Sequence, residues 1–324
     1  MINPLMSLCH SDAFGIPVVL LIGWRGEPSV KDEPQHRAQG RQMIPMLESC
    51  EIKYFEMPTD TLGATKCMES AASLAREKKR PVAVLVRQGV FAPVKDISAP
   101  KVGVAQYDSS RSMTRREALE AIIDLIGDSD DFLVSTTGYT SRELYAIQQQ
   151  RRHKNGARPF GGELYMVGSM GHALSIAQGI ALAQPTRRVW CIDGDGALLM
   201  HMGSLVSTAG LGTRNLVHVL LNNSCHESVG GQRTAASKDG DGSMDYSFSE
   251  IALAAGYSRV HTAGSRDALQ KLNFLTEKDK EGSSFLEITT RVDNASNTGL
   301  PRPKETLAEF KNAACDFLQR PSAM

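Results

Sequence analysis

An aspartate and an asparagine, each placed where an apolar run ends, could together hold a hard cation. Asp195 lies in Gly194-Asp195-Gly196, directly after Val189-Trp190-Cys191-Ile192. Asn223 is the second residue of Asn222-Asn223, after Leu216-Val217-His218-Val219-Leu220-Leu221. The 25 residues between Gly196 and Asn222 have helical character. Two strands of a parallel sheet would thus deliver a carboxylate and a carboxamide to one edge, the edge where open α/β sheets bind ligands. Oxygen donors of this kind suit Mg²⁺, which takes octahedral oxygen ligation and shares it with a phosphorylated ligand.

Other segments carry groups that fit the same chemistry. Ser135-Thr136-Thr137-Gly138-Tyr139-Thr140-Ser141-Arg142 offers six hydroxyls and a glycine soon after an apolar run, a composition suited to a diphosphate cradle. Gly168-Ser169-Met170-Gly171 opens a helix of small residues, where a ligand can approach the backbone and the helix dipole favours an anion. Taken singly these signals are weak. Gly-Asp-Gly is a common turn, Asn favours turns in general, and a lone Met is usually core filling.

The elements that must position these groups follow from short apolar runs bounded by Gly or Pro. Strands are predicted at 17–23, 52–55 and 81–87, with a helix over 61–79 in the βαβ manner. Residues 93–113, rich in Pro, Gly and Ser, are predicted to link this first domain (1–92) to a second (114–324). Thr114 with Glu117 has capping-box spacing and opens a helix with an apolar face. Strands follow at 132–135, 188–193, 216–221, 259–262 and 285–290, with helices at 171–183, 197–211, 249–255, 266–277 and 304–318. The expected fold is α/β, two doubly wound parallel-sheet domains with the first incomplete, since three strands make half such a domain.

Bulk properties exclude several classes. The 324 residues suit two domains. Lys and Arg total 36, as do Asp and Glu, so bulk charge points to no nucleic-acid partner. No apolar run reaches the roughly 18 residues of a membrane span. The six cysteines are scattered without a CxxC pair, which reads as reduced thiols and a cytoplasmic location. The expected partner is a small molecule.

The GDG and NN pair at this spacing resembles the cofactor motif of thiamine diphosphate enzymes. Gly23-Trp24-Arg25-Gly26-Glu27-Pro28, Lys31-Asp32-Glu33-Pro34-Gln35-His36 and the segment His226 to Gln232 are similar to the phosphonopyruvate decarboxylase branch, with sulfopyruvate decarboxylases close by. The resemblance implies thiamine diphosphate and Mg²⁺ as cofactors and decarboxylation of a 2-oxo acid. It implies that Asp195, Asn223 and the Cys225 carbonyl ligate the metal, and that Gly194, Gly196, Ala197, Thr137 and Gly138 surround the diphosphate. Gly168, Ser169 and Met170 would hold the pyrimidine side, with Met170 as the prop of the bent cofactor. His36 would carry a proton, and Arg25, Lys31 and His226 would bind a second anionic group of the substrate. Against this, Arg25 and Lys31 could equally pair with Glu27, Asp32 or Glu33, and His36 could be a solvated loop residue. The family builds its site between two subunits, so a homodimer or larger is implied.

One part of the family pattern has no counterpart. The glutamate that activates the pyrimidine lies upstream of the segment that aligns with Met1-Ile2-Asn3-Pro4. Roughly sixty to eighty residues of a full-length relative are unmatched, on the size of a doubly wound domain. The expectation is a fragment or mis-started version of an active decarboxylase. The alternatives are a sulfopyruvate or other 2-oxo acid decarboxylase, or a non-catalytic remnant that binds cofactor.

Overall fold

The computed structural model describes residues 2–32, 34–92, 104–106, 112–127, 129–155, 161–229, 231–235, 247–272, 282–292 and 299–321. The chain divides into two compact units, Met1–Ile97 and Ser98–Met324.

The first unit holds three parallel strands, β1 (Val18–Gly23), β2 (Lys53–Glu56) and β3 (Pro81–Val86), in the order β1-β3-β2. All six residues of β3 are buried, as a central strand of an apolar run should be. The helix Thr61–Lys78 is capped by Asp60, whose carboxylate accepts from the Gly63 amide at 2.8 Å. It packs Ala71 and Ala75 toward Val82 and Val84. A second helix, Pro34–Ser49, was not foreseen. Its polar composition and internal Pro45 hide the helical period, and its first turn carries His36, which is therefore not on a loop.

The second unit is built on seven parallel strands. These are β4 (Val104–Gln106), β5 (Phe132–Ser135), β6 (Glu163–Tyr165), β7 (Val189–Gly194), β8 (Leu216–Asn222), β11 (Arg259–Ala263) and β12 (Ser284–Thr289). The short antiparallel pair β9 (Cys225–His226) and β10 (Gln232–Arg233) stands apart from them. The sheet order is β4-β11-β12-β8-β7-β5-β6. The strands agree with the sequence reading to within a residue or two, but β4 arises inside the segment expected to be linker, and β6 was missed. The capping box at Thr114 is present, with Glu117 N to Thr114 Oγ1 at 3.2 Å and Thr114 N to Glu117 Oε2 at 2.7 Å. Leu119, Ile122 and Ile123 of that helix join Leu133, Trp190 and Ile192 in the core. The helix expected over 197–211 is two, Asp195–Met200 and Gly203–Leu211, broken at His201. The polar helix Tyr139–Asn155 was also missed. The helix expected over 266–277 is described only as Arg266–Gln270; residues 273–277 lie outside the described residues.

The chain leaves β5 for β6 on one side and then crosses to β7 on the other. That reversal of direction is a topological switch point, where the loops after β5 and β7 diverge and leave a crevice.

Candidate active site

In the second unit, a cavity of about 70 Å³ lies beyond the carboxyl ends of β12, β8, β7 and β5, four strands adjacent in the sheet. Thr137, Met170, Gly194, Asp195, Gly196, Ala197, Asn223, Cys225 and His226 all border it. Residues from four separate stretches of sequence therefore meet at one point.

After β5, the Ser141 hydroxyl accepts or donates at 2.6 Å with Ser135 and donates to the Thr136 carbonyl at 2.6 Å. This closes the turn and leaves Thr136 and Thr137 facing the cavity. Gly138 takes φ +92°, and a Cβ there would stand 3.2 Å from Ser228 Oγ. Thr137 Oγ1 accepts from the Gly168 amide at 3.0 Å, which ties the loop 168–171 to this turn. Gly168 and Ser169 do not border the cavity, but they shape the loop that brings Met170 to it. Ser169, a buried non-glycine residue, sits at φ +49°. Strain of this sort costs on the order of 1–3 kcal/mol and is kept where the surroundings demand the conformation.

Asp195 is the first residue of its helix and only 3 % exposed. Its Oδ2 accepts from Thr234 Oγ1 at 2.8 Å. Across the cavity, Asn223 Oδ1 accepts from the Cys225 amide at 3.0 Å, and Ser224 between them adopts φ +57°. The neighbouring Asn222 points away from the cavity. Its Nδ2 donates to buried Glu287 at 2.7 Å, and Glu287 in turn accepts from the Ser249 amide and hydroxyl at 3.0 and 2.8 Å. The double asparagine is thus divided, one residue anchoring the turn and the other facing the cavity. Burial first, then the Glu227 and Asp195 carboxylates, pushes the Cys225 thiol above its ordinary value of 9.0. The Asp195 carboxylate and the Asn223 carboxamide at this end of the cavity are oxygen donors, the preference of Mg²⁺.

The residues present fit a metal and diphosphate on two further observations. Thr136 Oγ1 and Thr290 Oγ1 are buried at the cavity and lack a hydrogen-bond partner among the described residues. Buried hydroxyls are seldom left so. Gly196 lies beneath the His226 ring, where a Cβ would come within 2.5 Å of Cε1. Bare backbone at a helix start is available there for close approach by an anion.

Sequence reasoning missed Arg115, Glu227 and Thr290, all of which border this cavity. Arg115 had one signal: a basic residue in the first turn of a capped helix, where the dipole disfavours it.

In the first unit, Arg25 and Lys31 border a cleft of about 580 Å³ together with Trp24, Glu27, Asp32 and Arg87. Asp32 organises this group. It accepts from Arg25 Nε at 2.9 Å and Nη2 at 2.7 Å, and from the Gly26 amide at 2.7 Å. His36 Nδ1 lies 3.0 Å from Asp32 Oδ1 and 3.0 Å from Arg25 Nη2. The Arg25 fork is therefore committed to a carboxylate. Arg87 pairs with Glu27 at 3.0 Å and Glu56 at 2.7 Å and lies over the Trp24 ring. Lys31 is exposed at the rim, and Glu33 lies outside the described residues. Asp32 was readable only as a member of a charge run.

Comparison with known proteins gives this arrangement its context. Residues 140–288 match the family described as thiamine pyrophosphate enzyme, C-terminal TPP binding domain. Over 333 aligned residues the chain is 36 % identical to a phosphonopyruvate decarboxylase of Streptomyces viridochromogenes, covering 100 % of this chain and 77 % of that one. It is 34 % identical to the phosphonopyruvate decarboxylase of Streptomyces hygroscopicus, covering 98 % and 76 %. The beta subunit of sulfopyruvate decarboxylase from Methanothermobacter thermautotrophicus is 34 % identical over 183 residues, 56 % of this chain and 85 % of that subunit. The matched family segment runs from the helix after β5 into β12 and takes in β7 and β8, with Asp195 and Asn223 after them. With identity sustained over its whole length, the chain belongs to the phosphonopyruvate decarboxylase family of thiamine diphosphate-dependent carboxy-lyases.

Proposed function

We propose that this enzyme decarboxylates 3-phosphonopyruvate to phosphonoacetaldehyde and CO₂, using thiamine diphosphate and Mg²⁺. The observation that carries the substrate is the identity to two phosphonopyruvate decarboxylases along the whole chain. The cleft of the first unit supports it: Arg25, Lys31 and Arg87 border it, and Lys31 is exposed. A phosphonate carries more negative charge than a sulfonate and gains more from a nearby cation. Sulfopyruvate is the second reading, favoured by the 34 % identity to a sulfopyruvate decarboxylase subunit.

Asp195, Asn223 and the Cys225 carbonyl would hold Mg²⁺, with Thr234 fixing the Asp195 carboxylate. Thr136, Thr137, Gly138, Gly194, Gly196 and Ala197 would receive the diphosphate, and Gly168, Ser169 and Met170 the pyrimidine side. When bound, the cofactor supplies the electron sink for the pair released with CO₂. The protein's work is to orient the substrate and exclude water. Lys31, with Arg25 steadied by Asp32, would hold the phosphonate, and His226 would flank it. His36 would return a proton to the product carbon. A homodimer or larger assembly with shared sites, in the cytoplasm, completes the proposal. Among the described residues no helix is long and apolar enough to cross a membrane, and all six cysteines are free.

The test is a decarboxylation assay across phosphonopyruvate, sulfopyruvate and pyruvate, run on this chain and on an upstream-extended one. Phosphonopyruvate is expected to give the highest kcat/KM. A higher value for sulfopyruvate would overturn the substrate assignment.

A further inference from the structure

We propose that Arg115 and Glu227 form a latch that fixes the turn bearing the metal donors against the wall bearing the diphosphate cradle. The latch rests on the thiamine diphosphate reading above. Arg115 opens the helix Arg115–Ile126 and is 7 % exposed. Its Nε donates to Glu143 at 2.6 Å, its Nη1 pairs with Glu227, and its guanidinium lies 5.4 Å from the centre of the Tyr139 ring. Tyr139 and Glu143 belong to the helix that follows the Thr137-Gly138 turn, whereas Glu227 follows Cys225-His226. One guanidinium therefore joins three elements that are distant in sequence and meet at the cavity.

The charges indicate what the second carboxylate does. Arg115 and Glu143 alone would make a neutral buried pair. Glu227 brings a second carboxylate to the same guanidinium, in a region where charge is costly to bury. What that cost secures is the position of the segment 225–229. The two-residue ladder between β9 and β10 is otherwise its main backbone tie. The His226 ring of this segment covers Gly196, and Asn223 and Cys225 are joined to it by the Asx turn. Arg115 acts as a positioning residue here, its guanidinium engaged by the Glu143 and Glu227 carboxylates.

The test is Glu227→Gln in this chain, which leaves the Arg115–Glu143 pair in place. Thiamine diphosphate binding is measured by calorimetry at a series of Mg²⁺ concentrations, and thermal melting is measured without ligands. Expected is a 10- to 100-fold weakening of cofactor affinity, about what losing a partner that orients a metal ligand costs. High Mg²⁺ should restore part of it. The ligand-free melting temperature should stay within about 4 °C of wild type. Arg115→Lys should weaken binding in the same direction, since Lys keeps the charge and loses the fork. Unchanged affinity in Glu227→Gln overturns the latch. A loss matched by a large fall in ligand-free melting, with no recovery at high Mg²⁺, assigns the pair to folding and overturns it too. Failure of the wild-type chain to bind the cofactor at all overturns the underlying reading, and the latch with it.

Discussion

Gly196→Ala separates stability from binding at the centre of the site. The position is helical, and the glycine has no left-handed φ, so the backbone accepts alanine. On propensity alone the change would stabilise the helix by about 1 kcal/mol. The added methyl, however, would lie 2.5 Å from His226 Cε1, 2.6 Å from its Nδ1 and 3.3 Å from Met170 Cε. Ordinary contact starts at 3.4 Å, so the ring must retreat by 3.4 − 2.5 = 0.9 Å. A half-buried ring at a cavity mouth can swing, so the overpacking cost should stay near the low end of the roughly 1–3 kcal/mol range. The two effects nearly cancel, and the melting temperature should move little. Function should not escape, because a displacement of about 1 Å in a positioned group can cost on the order of 10²-fold. The assay pairs thermal melting with calorimetry of thiamine diphosphate and Mg²⁺, on Gly196→Ala and on Gly196→Ala with His226→Ala. The double variant should bind better than Gly196→Ala alone, since removing the ring leaves only the 3.3 Å contact with Met170. A single variant that binds as wild type, or a double variant no better than the single, would refute the placement of the ring.

Other sites offer sharper signs. Asp195→Ala should abolish Mg²⁺-dependent cofactor binding; unchanged calorimetric affinity would sink the metal assignment. Thr290→Val removes a buried hydroxyl that has no protein partner. Ligand-free stability should hold or rise, while cofactor affinity falls about 2- to 12-fold, the ~0.5–1.5 kcal/mol of one hydrogen bond. A loss of ligand-free stability would show that the hydroxyl already has a partner. Arg25→Ala should raise KM for phosphonopyruvate far more than for pyruvate, and equal losses would argue against a phosphonate role. The capping box gives a pH signature. The Thr114 amide bond first, then the Thr114 hydroxyl and Arg291, hold Glu117 below its ordinary 4.5 against the opposing effect of burial. A lowered folded value means the contribution is full above 4.5 and is lost as pH falls through the folded value. The stability gap between wild type and Glu117→Gln should therefore close in acid, and a gap constant with pH would contradict the box.

What could be read in the sequence were groups whose position follows from local chain geometry. Asp195 and Asn223 stand where apolar strands end in turn-forming residues, and strand ends meet at one edge whatever the details of packing. Thr114 and Glu117 are three residues apart, a spacing fixed by one turn of helix. The residues that escaped owe their roles to contacts across the chain. Arg115 meets Glu227 112 positions away, and Thr234 reaches Asp195 across 39. Asp32 sits between Lys31 and Glu33 and looks solvated, yet its carboxylate gathers Arg25, Gly26 and His36. The helices Pro34–Ser49 and Tyr139–Asn155 escaped for another reason: their polar faces outweigh the apolar stripe on which periodicity depends.

The strand β4 changes where this protein can be cut. It pairs through Val104–Gln106 with Arg259–His261 of β11, at the outer margin of the seven-stranded sheet. A recombinant fragment started at Thr114, where the first capped helix begins, would discard that strand. The β11 ladder would then lie open as a template for association between copies. A fragment started at Ser98 keeps the three-residue β4 as the edge in place of the five-residue β11, a shorter template, so the two should differ in solubility before they differ in chemistry.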